Sequence, residues 1–407
     1  MKTYCSLLAG LIAVTLSVVD RAQTPAPAGA GTGALAVTSI ASPAGEDSES
    51  PQLTVAADRA ILSWLENTDK GTTLKFASWK SGGWSSARNV VANDALVVNA
   101  ADVPAVRALA DGTLAAAWLE ANATAPDNDE AYDLRVAWSR DDGASWSAAT
   151  NPHHDKTATQ HGFASLFDAP GGGLGIVWLD GRATHGDKGD MALRGTTFGT
   201  DGKQRSEVVI DSRVCECCPT SVAATGEGPI VAFRNRSPQE IRDIYVSRLA
   251  AGRWTAPVAV HNDGWRISAC PVNGPAISAR DRSVAVAWFT AQDDNGRAFV
   301  AFSRDGGRTF GAPVRVDDVN ALGRVQVALL EDGSAAVGWV EFSEKKSTFR
   351  VRRVEPGGTR SPGVDVADMA GTRYPRIARV GSDLLLAWTD APPRGASHVR
   401  TARVAIP

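Results

Sequence analysis

Seven apolar runs, each ending in an aromatic residue followed by polar or charged ones, recur along this chain at intervals of roughly 50 to 60 residues. They read AILSWLE, GTLAAAWLE, GLGIVWLD, PIVAFRN, VAVAWFT, AAVGWVE and LLLAWTD, with Trp64, Trp118, Trp178, Phe233, Trp288, Trp339 and Trp388 as landmarks. A short alternating segment and a turn precede each run. A third run such as LRVAWSR or AFVAFSR and a fourth such as GAPVRV follow it. One such unit cannot bury both faces of its sheet alone, so copies must stack, and four strands per unit is the size of a propeller blade. No amphipathic stretch of helical length interrupts the series. The spacing predicts an all-β fold, a single β-propeller of four-stranded blades: seven, or six if the first or last unit is degenerate. The last unit, residues 373–406, supplies only three strands. Residues 34–41, ALAVTSIA, are expected to add the fourth, closing the ring and removing both open sheet edges.

Export is the second expectation. Lys2 is a short basic start, residues 6–19 (SLLAGLIAVTLSVV) are apolar, and Ala26-Pro27-Ala28 offers a small-x-small cleavage site. Residues 1–28 thus read as a signal peptide and 29–407 as the mature propeller. After that start no run of about 18 apolar residues occurs, so the mature chain is read as lacking a membrane span. A net charge of −3 gives no basic footprint and disfavours a nucleic-acid partner. The expected molecule is a periplasmic or secreted monomer. Cys5 leaves with the signal, and Cys215, Cys217, Cys218 and Cys270 enter an oxidising compartment.

Two turns share a tighter pattern. SRDDGASW places Ser139, Asp141, Gly143 and Trp146 in the same relation as Ser303, Asp305, Gly307 and Phe310 of SRDGGRTF. An Asp that accepts backbone hydrogen bonds and a Gly at positive φ suit a hairpin, with the aromatic tucked beneath it. SWKSGGW and SRLAAGRW are faded copies. The pattern resembles the Asp-box of the sialidase superfamily, of which the chain would be a divergent member. Asp-boxes are structural, so the resemblance implies the fold and leaves the reaction open.

In a propeller the start of each inner strand and the end of the next strand share one face. Aligning DVPAV, CCPTSV and RYPRI brings Glu49, Asp102, His161, Cys217, Asn273, Arg324 and Arg373 to an upper channel mouth. Second-strand ends add Glu66, Glu120, Asp180 with Arg182, Arg234 with Arg236, Glu341 and Asp390. Convergent charge in a concavity predicts a ligand site, here for a glycan or small anionic group. The same alignment gathers four thiols. Cys270 is expected to bridge to the 215–218 cluster in at least one disulfide. The second reading is a soft-metal site, Cu(I) or Zn(II), completed by His161, His153 or His154. A redox dithiol comes third, since no C-x-x-C opens a helix here.

The resemblance implies three arginines clamping a substrate carboxylate, a Tyr nucleophile paired with a Glu, and an Asp acid/base. RYPRI makes Arg373 the candidate clamp residue, with Arg182, Arg234, Arg236 and Arg324 completing it by position. Tyr374 is the candidate nucleophile near the mouth, although alternation with Arg373 predicts that it points off the channel. Asp102 or Asp180 would be the acid, and Glu120 or Glu341 the tyrosine's support. The combined expectation is an exported propeller that binds a ligand at its upper mouth. An exo-α-sialidase and a periplasmic soft-metal protein are the alternatives.

Overall fold

The computed structural model describes residues 34–406 except positions 57–58, 70, 81, 126–127, 129–130, 186–187 and 370–372; the expected signal peptide lies outside the described residues. Seven antiparallel sheets follow one another along the chain. The inner strands of the first six are Ser48–Ala56, Ala105–Ala108, His161–Asp168, Ser221–Thr225, Ala276–Arg280 and Ala321–Leu329. In the seventh, Arg376–Val380 is innermost, followed by Asp383–Asp390, His398–Ala405 and, outermost, Val37–Ile40. Each inner strand packs beside the next, and Arg376–Val380 packs beside Ser48–Ala56. The ring is closed. The N-terminal strand completes the last blade as expected, pairing Val37 with Val404 and Ile40 with Thr401.

Blade two is the thin one. Its sheet has three strands, and a single bridge between Val136 and Thr150 stands in for the fourth. A 3-10 turn at Gln292–Asp294 is the sole helical element among the described residues.

The landmark runs form the second strand of every blade. That strand is covered by neighbouring blades on both faces, so its sequence is continuously apolar rather than alternating. Trp64, Trp178, Trp288 and Trp339 are fully buried. Each indole takes about 200 Å² out of water, on the order of 5 kcal/mol as an upper estimate.

Both Asp-containing turns adopt one hydrogen-bond set. The Gly143 N–H donates to Ser139 Oγ (2.8 Å), and Ser145 donates to Asp141 from its N–H (2.9 Å) and hydroxyl (2.6 Å). In blade five the Gly307 N–H donates to Ser303 Oγ (2.9 Å), and Thr309 donates twice to Asp305 (3.0 and 2.7 Å). The Ser145 bonds, with that from Ser139, hold the Asp141 carboxyl down at about 2. Each glycine abuts the preceding blade: a Cβ on Gly143 (φ +84°) would lie 2.4 Å from Phe76 Cζ, and one on Gly307 (φ +81°) would lie 2.3 Å from Ile230 Cδ1. These turns therefore lock blade to blade.

Gly112 has the same φ of +84° with open space around it, which separates backbone strain from the clash. Gly112→Ala is expected to cost about 1 kcal/mol and Gly143→Ala about 1–3 kcal/mol more, read from denaturant midpoints. Equal losses would show that the Phe76 contact does not matter.

Candidate functional site

The carboxylates expected at the second-strand ends turn out to belong to the repeat itself. In four blades the landmark indole N–H donates to a carboxylate two residues on: Trp64 to Glu66 (3.2 Å), Trp118 to Glu120 (2.9 Å), Trp178 to Asp180 (2.8 Å) and Trp339 to Glu341 (3.0 Å). The residue paired with each Trp on the third strand is basic: Lys75, Arg135, Arg194 and Arg350. Each lies within ion-pair distance of the same carboxylate. Alternation explains it, because residues i and i+2 face one side of a strand and the cross-strand neighbour faces it too. Glu66, Asp180 and Glu341 are held below the usual carboxylate range: burial raises them, and this is more than reversed by Lys75 and Trp64 for Glu66, by Arg182, His161 and Trp178 for Asp180, and by the Asp318 N–H, Trp339 and Arg350 for Glu341. Asp180, an expected acid, and Glu120 and Glu341, the expected tyrosine supports, are thus engaged in holding the blades. Blade seven keeps the residues, with Trp388 opposite Arg400 and Arg400 3.3 Å from Asp390.

Blades four and five depart from this pattern. Phe233 pairs with Tyr245 and Trp288 with Phe299, and Arg234 stands directly after Phe233. The Arg234 guanidinium is fully buried and donates to the carbonyls of Asn273 (2.9 Å), Arg242 (2.5 Å) and Phe289 (2.8 Å), 5.0 Å from the Trp265 ring. Above it lies the turn that carries the sulfur.

Residues 215–218 connect the outer strand of blade three, Val208–Val214, to the inner strand of blade four. Cys217 is bonded to Cys270, as expected for a bridge to this cluster. Cys215 and Cys218 are free and 1% exposed, with their sulfurs 2.9 Å apart; Cys215 Sγ is 3.9 Å from Cys217 Sγ. The spacing Cys215-x-x-Cys218 is a C-x-x-C on a turn rather than a helix, which the reading of the stretch as C-x-C-C overlooked. Arg242 Nη1 donates to Cys215 Sγ (3.3 Å) and to Glu216 (2.7 Å), while Glu240 bridges Arg242 and Arg236. Burial raises the Cys215 thiol, but Cys218, Arg234 and Arg242 outweigh it and bring it to about 7. Burial drives Cys218 well above an ordinary thiol.

The histidines do not join the sulfurs. His153 and His161 stack at 3.8 Å in blade three, where His161 Nε2 lies 3.2 Å from Asp155; exposed His154 contacts Gln204. Among the described residues the cysteines and the histidines fall in separate groups of potential metal ligands.

Nor do the five arginines gather on one open pocket. Arg182 holds Asp180 with two bonds and also meets Glu207. Arg236 binds Glu240 and Glu216, Arg373 binds Glu49, and Arg234 is buried as described. Arg324 lies 5.0 Å over the Tyr374 ring, and Arg376, which the sequence reading missed, lies 5.3 Å from it. Tyr374 itself points across the channel end rather than off it. Its hydroxyl donates to Val272 O (2.6 Å) and accepts from the Gly274 N–H (3.3 Å), and burial pushes the phenol up to about 12. Strand alternation does not govern it because the strand begins only at Arg376. Asn273 caps the same region, donating to Leu322 O (3.2 Å) and accepting from the Arg324 N–H (2.9 Å). Asp102 is buried, accepts from the Phe163 N–H (2.6 Å) with Tyr132 alongside, and is raised by burial to about 7.

No family model and no curated protein matches the chain. Among solved structures it is similar to the polysaccharide lyase Uly1, with 9% identity, 88% of this chain and 90% of that chain covered, and a TM-score of 0.49. It is similar to the NanB sialidase of Streptococcus pneumoniae (10% identity, 86% and 83% covered, TM-score 0.47). It is also similar to the leech intramolecular trans-sialidase (12% identity, 85% and 83% covered, TM-score 0.45). The architecture described above rests on strand pairing and ring closure.

Replacing Arg242 removes the cation beside Cys215. Arg242→Gln is expected to move the Cys215 thiol from about 7 toward an ordinary thiol, since losing a positive neighbour disfavours the thiolate. Thiolate absorbance against pH in metal-free protein checks this; an unmoved midpoint would remove Arg242 from the account.

Proposed function

We propose that this chain is an exported β-propeller that holds a soft metal ion of the Cu(I) class between Cys215 and Cys218. The observation that carries the reading is the buried sulfur pair, 2.9 Å apart, with the Arg242 guanidinium 3.3 Å from one member. Thiolates favour soft metals, Cu(I) among them, and a thiol brought to about 7 is substantially ionised at neutral pH. Two thiolates and one Cu(I) carry a single negative charge, which Arg242 offsets inside a buried pocket. Zinc fits this set less well: it takes four ligands, and the next sulfur, Cys217, is engaged with Cys270.

Recognition of an acidic glycan at the same mouth is the second reading, favoured by the side chains of Arg213 and Arg236, which are 31% and 21% exposed. A sugar carboxylate would there compete with Glu216 and Glu240 for the guanidiniums. Sialidase-type hydrolysis is not part of either reading, because the Tyr374 hydroxyl is buried and already donates to Val272. Release of a fluorogenic sialoside aglycone, lost on Arg373→Ala, would reinstate the hydrolase.

Anaerobic Cu(I) titration against a chromophoric chelator tests the metal reading. One ion per chain is expected, with binding lost in Cys215→Ser and in Cys218→Ser. Arg242→Met, which removes an outer partner of a ligand, is expected to weaken binding about 10- to 100-fold. Copper retained equally by both serine variants would overturn the assignment.

A further inference from the structure

The Cys217–Cys270 disulfide and the Cys215/Cys218 pair lie too close together to be chemically independent. Cys270 is exposed and Cys217 half-buried, whereas Cys215 and Cys218 are sealed beneath them. Cys215 Sγ is 3.9 Å from Cys217 Sγ on one side and 2.9 Å from Cys218 Sγ on the other. Its sulfur is therefore central in the row Cys218, Cys215, Cys217, Cys270. Three of these four residues lie on one turn, which keeps their sulfurs close together. Arg242 donates to Cys215 and favours the thiolate, the form that attacks a disulfide.

We propose that the four sulfurs form an internal exchange relay, which transfers the disulfide from the surface pair Cys217–Cys270 to the buried pair Cys215–Cys218 and back. In the first step the Cys215 thiolate attacks Cys217 Sγ. The bond to Cys270 breaks, and its electron pair leaves on Cys270, where water can protonate it. The resulting Cys215–Cys217 link spans a Cys-x-Cys segment and is strained, which keeps it short-lived. In the second step Cys218, having given its proton to solvent, attacks Cys215 Sγ and expels Cys217 as thiolate. One disulfide is lost and one is gained, two thiols are consumed and two appear, and no outside oxidant enters.

The product state presents two thiols to solvent, able to reduce a disulfide of a second molecule. It also removes both ligands from the pocket; this consequence for metal release rests on the soft-metal reading, whereas the exchange itself does not.

The test uses metal-free, full-length mature chain brought to one disulfide per chain with limiting dithiol and then freed of reagent. Folded protein is exposed to N-ethylmaleimide, and labels and disulfides are mapped by peptide mass spectrometry. Wild type is expected to acquire label on Cys217 and Cys270 while Cys215–Cys218 becomes the linked pair. Cys215→Ser is expected to slow Cys270 labelling at least about tenfold, since the attacking sulfur is gone. Cys218→Ser is expected to stop at the first step, with Cys270 labelled and Cys215 joined to Cys217. Circular dichroism confirms that each variant is folded, and the two variants give opposite Cys270 outcomes, so one misfolded variant leaves the other decisive. Cys270 unlabelled in wild type would overturn the relay. So would equal labelling in Cys215→Ser. A chain that exchanges but binds no Cu(I) keeps the relay and loses the metal reading; one that binds Cu(I) without exchange does the reverse.

Discussion

An indole N–H donating to a carboxylate two residues further along the same strand, with a basic side chain facing both from the next strand, is the contact on which this ring is built. Trp64, Trp118, Trp178 and Trp339 all make it. A hydrogen bond to a charged group contributes about 1.5–3 kcal/mol, and leaving the buried partner unsatisfied costs at least as much. The device also settles charge. Each carboxylate at the end of a second strand is neutralised within its own blade, so an acidic residue recurs near the channel mouth without creating a site there.

Against that background the departure at blade four carries meaning. Phe233 replaces the indole, Arg234 follows it, and the facing residue is Tyr245. With no carboxylate to bind, the Arg234 guanidinium turns onto three backbone carbonyls and supports the cysteine turn from below. Arg234, on the second strand where most other blades carry an apolar residue, thereby stands near Cys215 and helps to lower the thiol. Arg242 adds a direct contact from the third-strand side.

Periodicity made the ring readable from the sequence. The landmark runs, the two serine–aspartate turns and the missing seventh outer strand each have a local signature, and closure by Val37–Ile40 follows from counting strands. Gathering Cys270 with the 215–218 cluster was also legible, because repeat alignment places both at inner-strand starts. Arg242 was not: it sits in QEIRDI among ordinary surface charges, and only the fold brings it to Cys215. Tyr374 misled because alternation holds within a strand and Tyr374 precedes one. The carboxylates at the second-strand ends can be picked out from the repeat, but their Trp and Lys or Arg partners depend on cross-strand register, which the linear pattern does not display. His161 followed the alignment to its position, yet Asp155, six residues earlier in an irregular segment, decides what it binds.

Anomalous diffraction from crystals of the reduced chain soaked in Ag(I), a stand-in for Cu(I), tests the central claim that the cysteine turn of blade four forms a soft-metal pocket. The account predicts one dominant peak between Cys215 Sγ and Cys218 Sγ, within contact of the Arg242 guanidinium. A dominant peak on His153 and His161, or none near blade four, would contradict it.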